Sequence, residues 1–178
     1  MKVGIIILNC NSWELTRALA KRVSEYEKVN AVVIIDNASS DDSFSKLSEI
    51  SGGKIYLVQS GRNGGYSFGN NVGAKICDEL NMDICMISNP DVIIEEEDIN
   101  QIINAFSRSD YAMLSGVQCD TSGVPCSPLS KICSYWDDLC DCSFLYRKLH
   151  KQYIRKEECI EGGGDTECRK ISWFFFCF

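Results

Sequence analysis

Three groups of polar side chains stand directly after short apolar runs, and their residue types suit the parts of a nucleotide. Asp36-Asn37-Ala38-Ser39-Ser40-Asp41-Asp42 closes the run at 31–35, and Ser88-Asn89-Pro90-Asp91 closes the run at 83–88. Between them, Arg62-Asn63-Gly64-Gly65-Tyr66-Ser67-Phe68-Gly69-Asn70-Asn71-Val72-Gly73 follows the run at 54–58 and leads into a helical segment. A carboxylate such as Asp36 accepts hydrogen bonds from a base or a ribose. Glycines let the backbone approach a ligand closely, and a helix start offers free amides to a phosphate. Asp91 suits a hard cation, Mg²⁺ or Mn²⁺, which is commonly held by one or two carboxylates together with substrate phosphates.

Each group also has a plainer reading. An acid after the second strand is shared with dinucleotide-binding Rossmann domains, so Asp36 alone separates nothing. The first turn does: Asn9-Cys10-Asn11-Ser12-Trp13 lacks the glycine fingerprint that admits a pyrophosphate. The glycine stretch has no lysine followed by serine or threonine at the Walker A spacing. By itself it also fits a turn whose side chains fix the local backbone. Ser39, Asp41 and Asp42 read as caps of the following helix. Asn-Pro-Asp also fits a strand-ending turn.

Positioning these groups requires a parallel sheet. The runs 3–8, 31–35, 54–58 and 83–88 are apolar without alternation, as strands covered on both faces are. Segments long enough for crossover helices separate them. Residues 13–26 carry Trp13, Leu15, Leu19 and Val23, and residues 66–80 carry Val72, Ile76 and Leu80. Ser12 and Asp41 stand where helix N-caps are expected. The acidic residues 95–98 open a further helix through Phe106, where negative charge suits the helix dipole. The reading continues with a strand at 111–117, a loop at 119–130, an amphipathic helix at 135–153 and an apolar strand at 171–178. The fold class is α/β, and ligands of such sheets bind at the carboxyl ends of the strands.

A chain of 178 residues fits one domain, and 45% apolar with 24% charged residues is ordinary for a folded protein. The net charge of −7 excludes broad contact with a nucleic-acid backbone, which needs a clustered basic surface. Eleven cysteines without a leader-like segment suggest reduced thiols and a cytoplasmic location. Cys119, Cys126, Cys133 and Cys140 lack the paired spacing of a zinc site. His150, among Arg147, Lys148 and Lys151, reads as a basic helix face, with peripheral attraction to the inner face of a membrane as the alternative.

Taken in order, LNCNS, VIIDNASSDDS, NGGYSFGNNVGA and ISNPDV resemble the amino-terminal half of family-2 glycosyltransferases of the rhamnosyltransferase-like group, over about residues 3–100. The resemblance implies a GT-A fold, a three-layer α/β/α sandwich with a mostly parallel sheet. It divides a single domain at 1–178 into a nucleotide-sugar-binding part, 1–117, and the start of an acceptor-side part, 118–178. It implies that Asn9 and Asn11 lie beside the nucleotide, that Asp36 binds the pyrimidine base and that Asn37 is among the substrate-binding residues. Gly65, Tyr66 and Asn70 would line the nucleotide-sugar pocket. Asp91 matches the last acid of the family's Asp-x-Asp motif and would hold Mg²⁺ or Mn²⁺, with Asn89 where the first acid often lies. The reaction implied is inverting transfer of a sugar from a UDP- or dTDP-type donor to a saccharide or lipid-linked acceptor, in polysaccharide or cell-surface glycan synthesis.

An inverting transfer also needs a general base. In the family that acid follows a strand resembling residues 171–178, where this chain ends, and Trp173 stands where the family tends to have glycine. The sequence therefore leaves two expectations: the donor-binding portion of a truncated enzyme, or a catalytically inactive nucleotide-sugar-binding domain.

Overall fold

The computed structural model describes residues 1–108 and 112–116. Met1–Leu114 belong to one compact unit, whereas Ser115 and Gly116 belong to another. The expected loop at 119–130, helix at 135–153 and strand at 171–178, the later cysteines and His150 lie outside the described residues.

Among the described residues four strands and four helices alternate: β1 (Val3–Asn9), α1 (Trp13–Ser24), β2 (Val29–Asp36), α2 (Ser43–Ser48), β3 (Ile55–Gln59), α3 (Tyr66–Glu79), β4 (Ile84–Ser88) and α4 (Glu96–Arg108). The strands form one sheet in the order β3-β2-β1-β4, and every pairing between them is parallel. Asn9 is the register partner of Asp36, and Asp36 of Gln59, so the polar strand ends line up along one edge.

Unalternated strand sequences are explained by burial on both faces. Ile5, Ile7, Val32 and Ile34 pack with Leu19, Ala20 and Val23 of α1, Leu47 of α2 and Ile99 of α4. Ile6, Val33, Ile35, Cys85 and Ile87 pack on the other face with Ala74 and Cys77 of α3. The result is the three-layer α/β/α arrangement expected from the sequence. Each fully buried Val or Ile contributes about 1.5–3 kcal/mol, so the sheet core supplies most of the stability and the edge loops little.

Helix faces were less legible than strands. Leu15, expected on the buried stripe of α1, is 51% exposed, and the buried positions there are Thr16, Leu19, Ala20 and Val23. On α3 the expected residues Val72, Ile76 and Leu80 are half-buried, whereas Gly69, Asn70, Gly73, Ala74 and Cys77 face the sheet. Small size is the cause. A Cβ on Gly73 would stand 2.5 Å from Ile6 Cγ2, and one on Gly69 would strike Leu8, so α3 lies closer to β1 than larger side chains permit.

The caps also differ from expectation. Ser12 occupies the N-cap position of α1 but makes no side-chain cap bond; its hydroxyl donates instead to Asn9 Oδ1 at 3.4 Å. The N-cap of α2 is Asp42, and Asp41 turns the chain before it by accepting from Ser43 N at 3.0 Å. Hydrogen bonds from Ser43 hold the Asp41 carboxyl below its usual range. At α4, Asp98 reaches back to accept from Glu95 N at 2.8 Å, as in a capping box. The strand expected at 111–117 is not formed by residues 112–116, which are irregular. Ser115-Gly116 favours a turn, and no described strand pairs with this segment.

Candidate nucleotide-sugar site

The carboxyl edge of the sheet carries a continuous hydrogen-bond network centred on Asn9 and Asp36, both with 0% of their surface exposed. Asn9 Nδ2 donates to Asp36 Oδ1 at 2.9 Å and to Ser39 Oγ at 3.0 Å. Its Oδ1 accepts from Thr16 Oγ1 at 2.8 Å, and its backbone carbonyl from Asn37 N at 2.9 Å. Burial of so many polar groups is tolerable only because each is paired.

Asp36 is held asymmetrically. Oδ1 accepts from both Asn9 and Ser39 Oγ, the latter at 2.5 Å, whereas Oδ2 receives only Ser39 N at 3.4 Å. One carboxylate oxygen is therefore anchored and the other weakly engaged. The sequence placed Asp36 in direct contact with a base, but the side chain is covered. Oδ2, with only the long contact from Ser39 N, keeps an acceptor position for a further N–H.

The loops above are shaped by unusual backbone. Asn11 and Ala38 take positive φ, 52° and 56°, a conformation that costs an alanine roughly 1–2 kcal/mol. The turn at Ala38 folds Ser39 back over Asp36, and there Ser39 Oγ also accepts from Asn11 N at 3.0 Å. Asn11 Oδ1 in turn accepts from Ser40 N at 2.8 Å. Ser39, expected only to cap a helix, thus joins β1 to β2. Its part was invisible in sequence because it depends on the left-handed residue before it.

Asn37 braces the third loop. Its Nδ2 donates to Asn63 Oδ1 at 3.2 Å and Gly65 O at 3.4 Å, and its Oδ1 accepts from Ser60 Oγ at 3.1 Å. Asn63 Oδ1 also accepts from Gly65 N at 3.1 Å. Gly65, the N-cap of α3, has φ 82° and ψ −178°, which is essentially reserved for glycine. No side chain caps α3, and its first turn holds no acid. That helix start is thus open to an anion. Asn63, Ser60 and Thr16 were not singled out as site residues from sequence; their hydrogen bonds across loops are what reveals them.

Asn70 is 4% exposed, and among the described residues its Nδ2 and Oδ1 have no well-formed hydrogen bond, only the adjoining Tyr66 hydroxyl for a neighbour. A buried amide without partners costs roughly 1–3 kcal/mol, which a ligand or ordered water would relieve. Tyr66 lies one helical turn earlier. Burial raises the pKa of its hydroxyl, an effect that the neighbouring Asn70 amide partly opposes, so Tyr66 is a hydrogen-bond donor at neutral pH.

Asn89 and Asp91 follow β4 at the same edge. Asp91 is exposed, and its carboxylate has no hydrogen bond or ion pair among the described residues. Among those residues no group of three His, Cys, Asp or Glu side chains could hold a metal alone. A free carboxylate at the carboxyl edge of the sheet nevertheless fits a cation that takes its remaining ligands from substrate phosphates and water.

A three-layer α/β domain with a parallel sheet and a polar carboxyl edge has the GT-A fold. Glycosyl transferase family 2 matches residues 4–170, and the chain belongs to that family. A low-salt glycan biosynthesis hexosyltransferase, Agl10 of Haloferax volcanii, is 35% identical over 124 residues, which are 69% of this chain and 38% of that protein. The chain thus spans about two fifths of this relative's length. Two solved structures share the fold. The mannosyltransferase PcManGT of Pyrobaculum calidifontis, in complex with GDP-Man and Mn²⁺, superposes with a TM-score of 0.57 at 18% identity, over 65% of this chain and 35% of its own. TarS 1–349 of S. aureus does so with a TM-score of 0.58 at 19% identity, over 74% and 40%.

Proposed function

We propose that the carboxyl edge binds a nucleotide-diphosphate sugar and that the protein transfers its sugar, with inversion, to an acceptor hydroxyl in the synthesis of a polysaccharide or cell-surface glycan. The buried amide of Asn70 at an uncapped helix start carries this reading, because among the described residues it makes no well-formed hydrogen bond and so keeps donor and acceptor capacity for a polar ligand. Asp36 Oδ2 accepts from the base, with Asn9, Asn37 and Ser39 holding the carboxylate and the loops in place. Asn11 lies beside the nucleotide. Gly65 and the first amides of α3 receive a phosphate, and Tyr66 and Asn70 donate to the sugar or diphosphate. Residues 1–117 serve the donor and 118–178 begin the acceptor side, where a saccharide or lipid-linked acceptor binds.

Asp91, assisted by Asn89, would hold Mg²⁺ or Mn²⁺. Such a cation supplies positive charge to the departing diphosphate. The Mn²⁺ in the PcManGT complex supports this assignment. The donor is of UDP or dTDP type, since one carboxylate oxygen matches the single imide N–H of a pyrimidine such as uracil or thymine. Among the described residues no helix is long and apolar enough to cross a membrane.

Calorimetry with UDP, dTDP and GDP, each with and without Mn²⁺, tests the proposal. UDP or dTDP should bind in the micromolar range and tighten with Mn²⁺. Preference for GDP would overturn the pyrimidine assignment, and failure of all three would overturn donor binding itself.

A further inference from the structure

The four loops at the carboxyl edge, 10–12, 37–42, 60–65 and 89–95, contain the acids Asp41, Asp42, Asp91 and Glu95 but a single cation, Arg62. A donor diphosphate is itself strongly anionic, so this edge needs positive charge beyond helix amides and a dication. Arg62 is placed to provide it. Its guanidinium lies 4.9 Å from the centroid of the Phe68 ring, in the first turn of α3. Gly64 packs directly on the same ring, where any Cβ would collide with it. The Arg62 carbonyl accepts from Ser60 Oγ at 2.8 Å, and Asn63 beside it is fixed by Asn37. The backbone bearing Arg62 is therefore tied to β2, and its side chain is steered by an aromatic face.

Arg62 is exposed. Among the described residues its side chain forms no ion pair, although Arg17 and Arg22 each meet a glutamate. Arginine's planar fork suits two phosphate oxygens at once, and stacking on an aromatic ring orients that fork without consuming its N–H donors.

We propose that Arg62 is a specificity-determining residue that reads a phosphate of the bound nucleotide, so that the site selects nucleoside diphosphates over nucleosides. The assignment rests on the donor-binding reading above and adds a residue and a basis of selectivity to it. Phe68 acts through Arg62 as a positioning residue, and Gly64 is required to leave room for the ring.

The test is calorimetry of the full chain and of Arg62→Gln, Arg62→Lys and Phe68→Leu with uridine, UMP and UDP in the presence of Mg²⁺, repeated with the guanine series. Thermal melts establish that each variant is folded, which an exposed loop residue should allow. Arg62→Gln should weaken UDP binding about tenfold or more while leaving uridine unchanged, and the phosphate at which the loss first appears identifies the one that is read. Arg62→Lys should recover part of the loss, and Phe68→Leu should show a smaller loss confined to phosphorylated ligands. The native preference for UDP over uridine should shrink as salt rises, because the contact is exposed. Equal UDP affinity in the native chain and Arg62→Gln would overturn the role of Arg62 alone. Equal losses for uridine and UDP would overturn it as well, by indicating a merely structural part. If the native chain binds none of the six ligands, the donor-binding reading falls first and this inference with it.

Discussion

Asp36→Asn is expected to weaken nucleotide binding about 30–100-fold while leaving the fold nearly intact. The amide keeps an oxygen at the Oδ1 position, so Asn9 Nδ2 and Ser39 Oγ retain their acceptor. The Oδ2 position becomes an NH₂ group, which faces Ser39 N and, in the complex, the base N–H: two donors opposed where a charged acceptor stood. Loss of a charged hydrogen bond together with an unpaired buried donor corresponds to about 2–3 kcal/mol, hence the factor. Stability should fall by about 1–2 kcal/mol in urea unfolding, because the buried NH₂ faces Ser39 N in the free protein too, while the apolar core is untouched. Asp36→Ala is the contrasting variant. It leaves Asn9 Nδ2 with Ser39 alone and should cost about 1–3 kcal/mol of stability in addition. Unchanged nucleotide affinity in Asp36→Asn would remove the carboxylate from the ligand-contacting set and leave it a purely structural anchor.

Asp91→Ala should have the opposite profile. The side chain is exposed and makes no contact that its loss could break, so the melting temperature should not move. Without divalent cation the variant and the native chain should bind UDP equally. With Mn²⁺ only the native chain should gain affinity, by about tenfold or more, the equivalent of at least about 1.4 kcal/mol. A variant that keeps its Mn²⁺ enhancement would place the cation on the diphosphate alone, without the protein.

The sheet was legible in the sequence because strands buried on both faces must be continuously apolar, and the runs at 3–8, 31–35, 54–58 and 83–88 became β1–β4 with ends shifted by one or two residues. Polar groups directly after such runs then had to fall on one edge, which is why Asp36 and Asn89 could be placed there from spacing, whereas Asn9 was assigned to the site by the family resemblance. Side-chain direction was not legible in the same way. Leu15 is apolar but turned outward, whereas Gly69 and Gly73, which carry no hydrophobic signal, form the contact of α3 with β1. Ser39 looked like a helix cap until the positive φ of Ala38 turned it back onto Asp36. Burial was the largest surprise. Asp36 was expected to bind the base and Asn37 the donor substrate, and the sequence did not show that both are covered and spend most of their hydrogen bonds on neighbouring loops.

The central claim is that the carboxyl edge of the sheet is the donor site, and chemical-shift mapping of the ¹⁵N-labelled protein tests it most directly. On titration with UDP and Mg²⁺, the largest shifts should fall on the backbone amides of residues 9–12, 36–40, 62–70 and 89–91. The side-chain amide of Asn70, which makes no well-formed hydrogen bond among the described residues, should shift downfield as it gains one. Shifts confined to the opposite edge of the sheet, around Lys2, Lys28, Lys54 and Asp83, with Asn70 unmoved, would contradict the account.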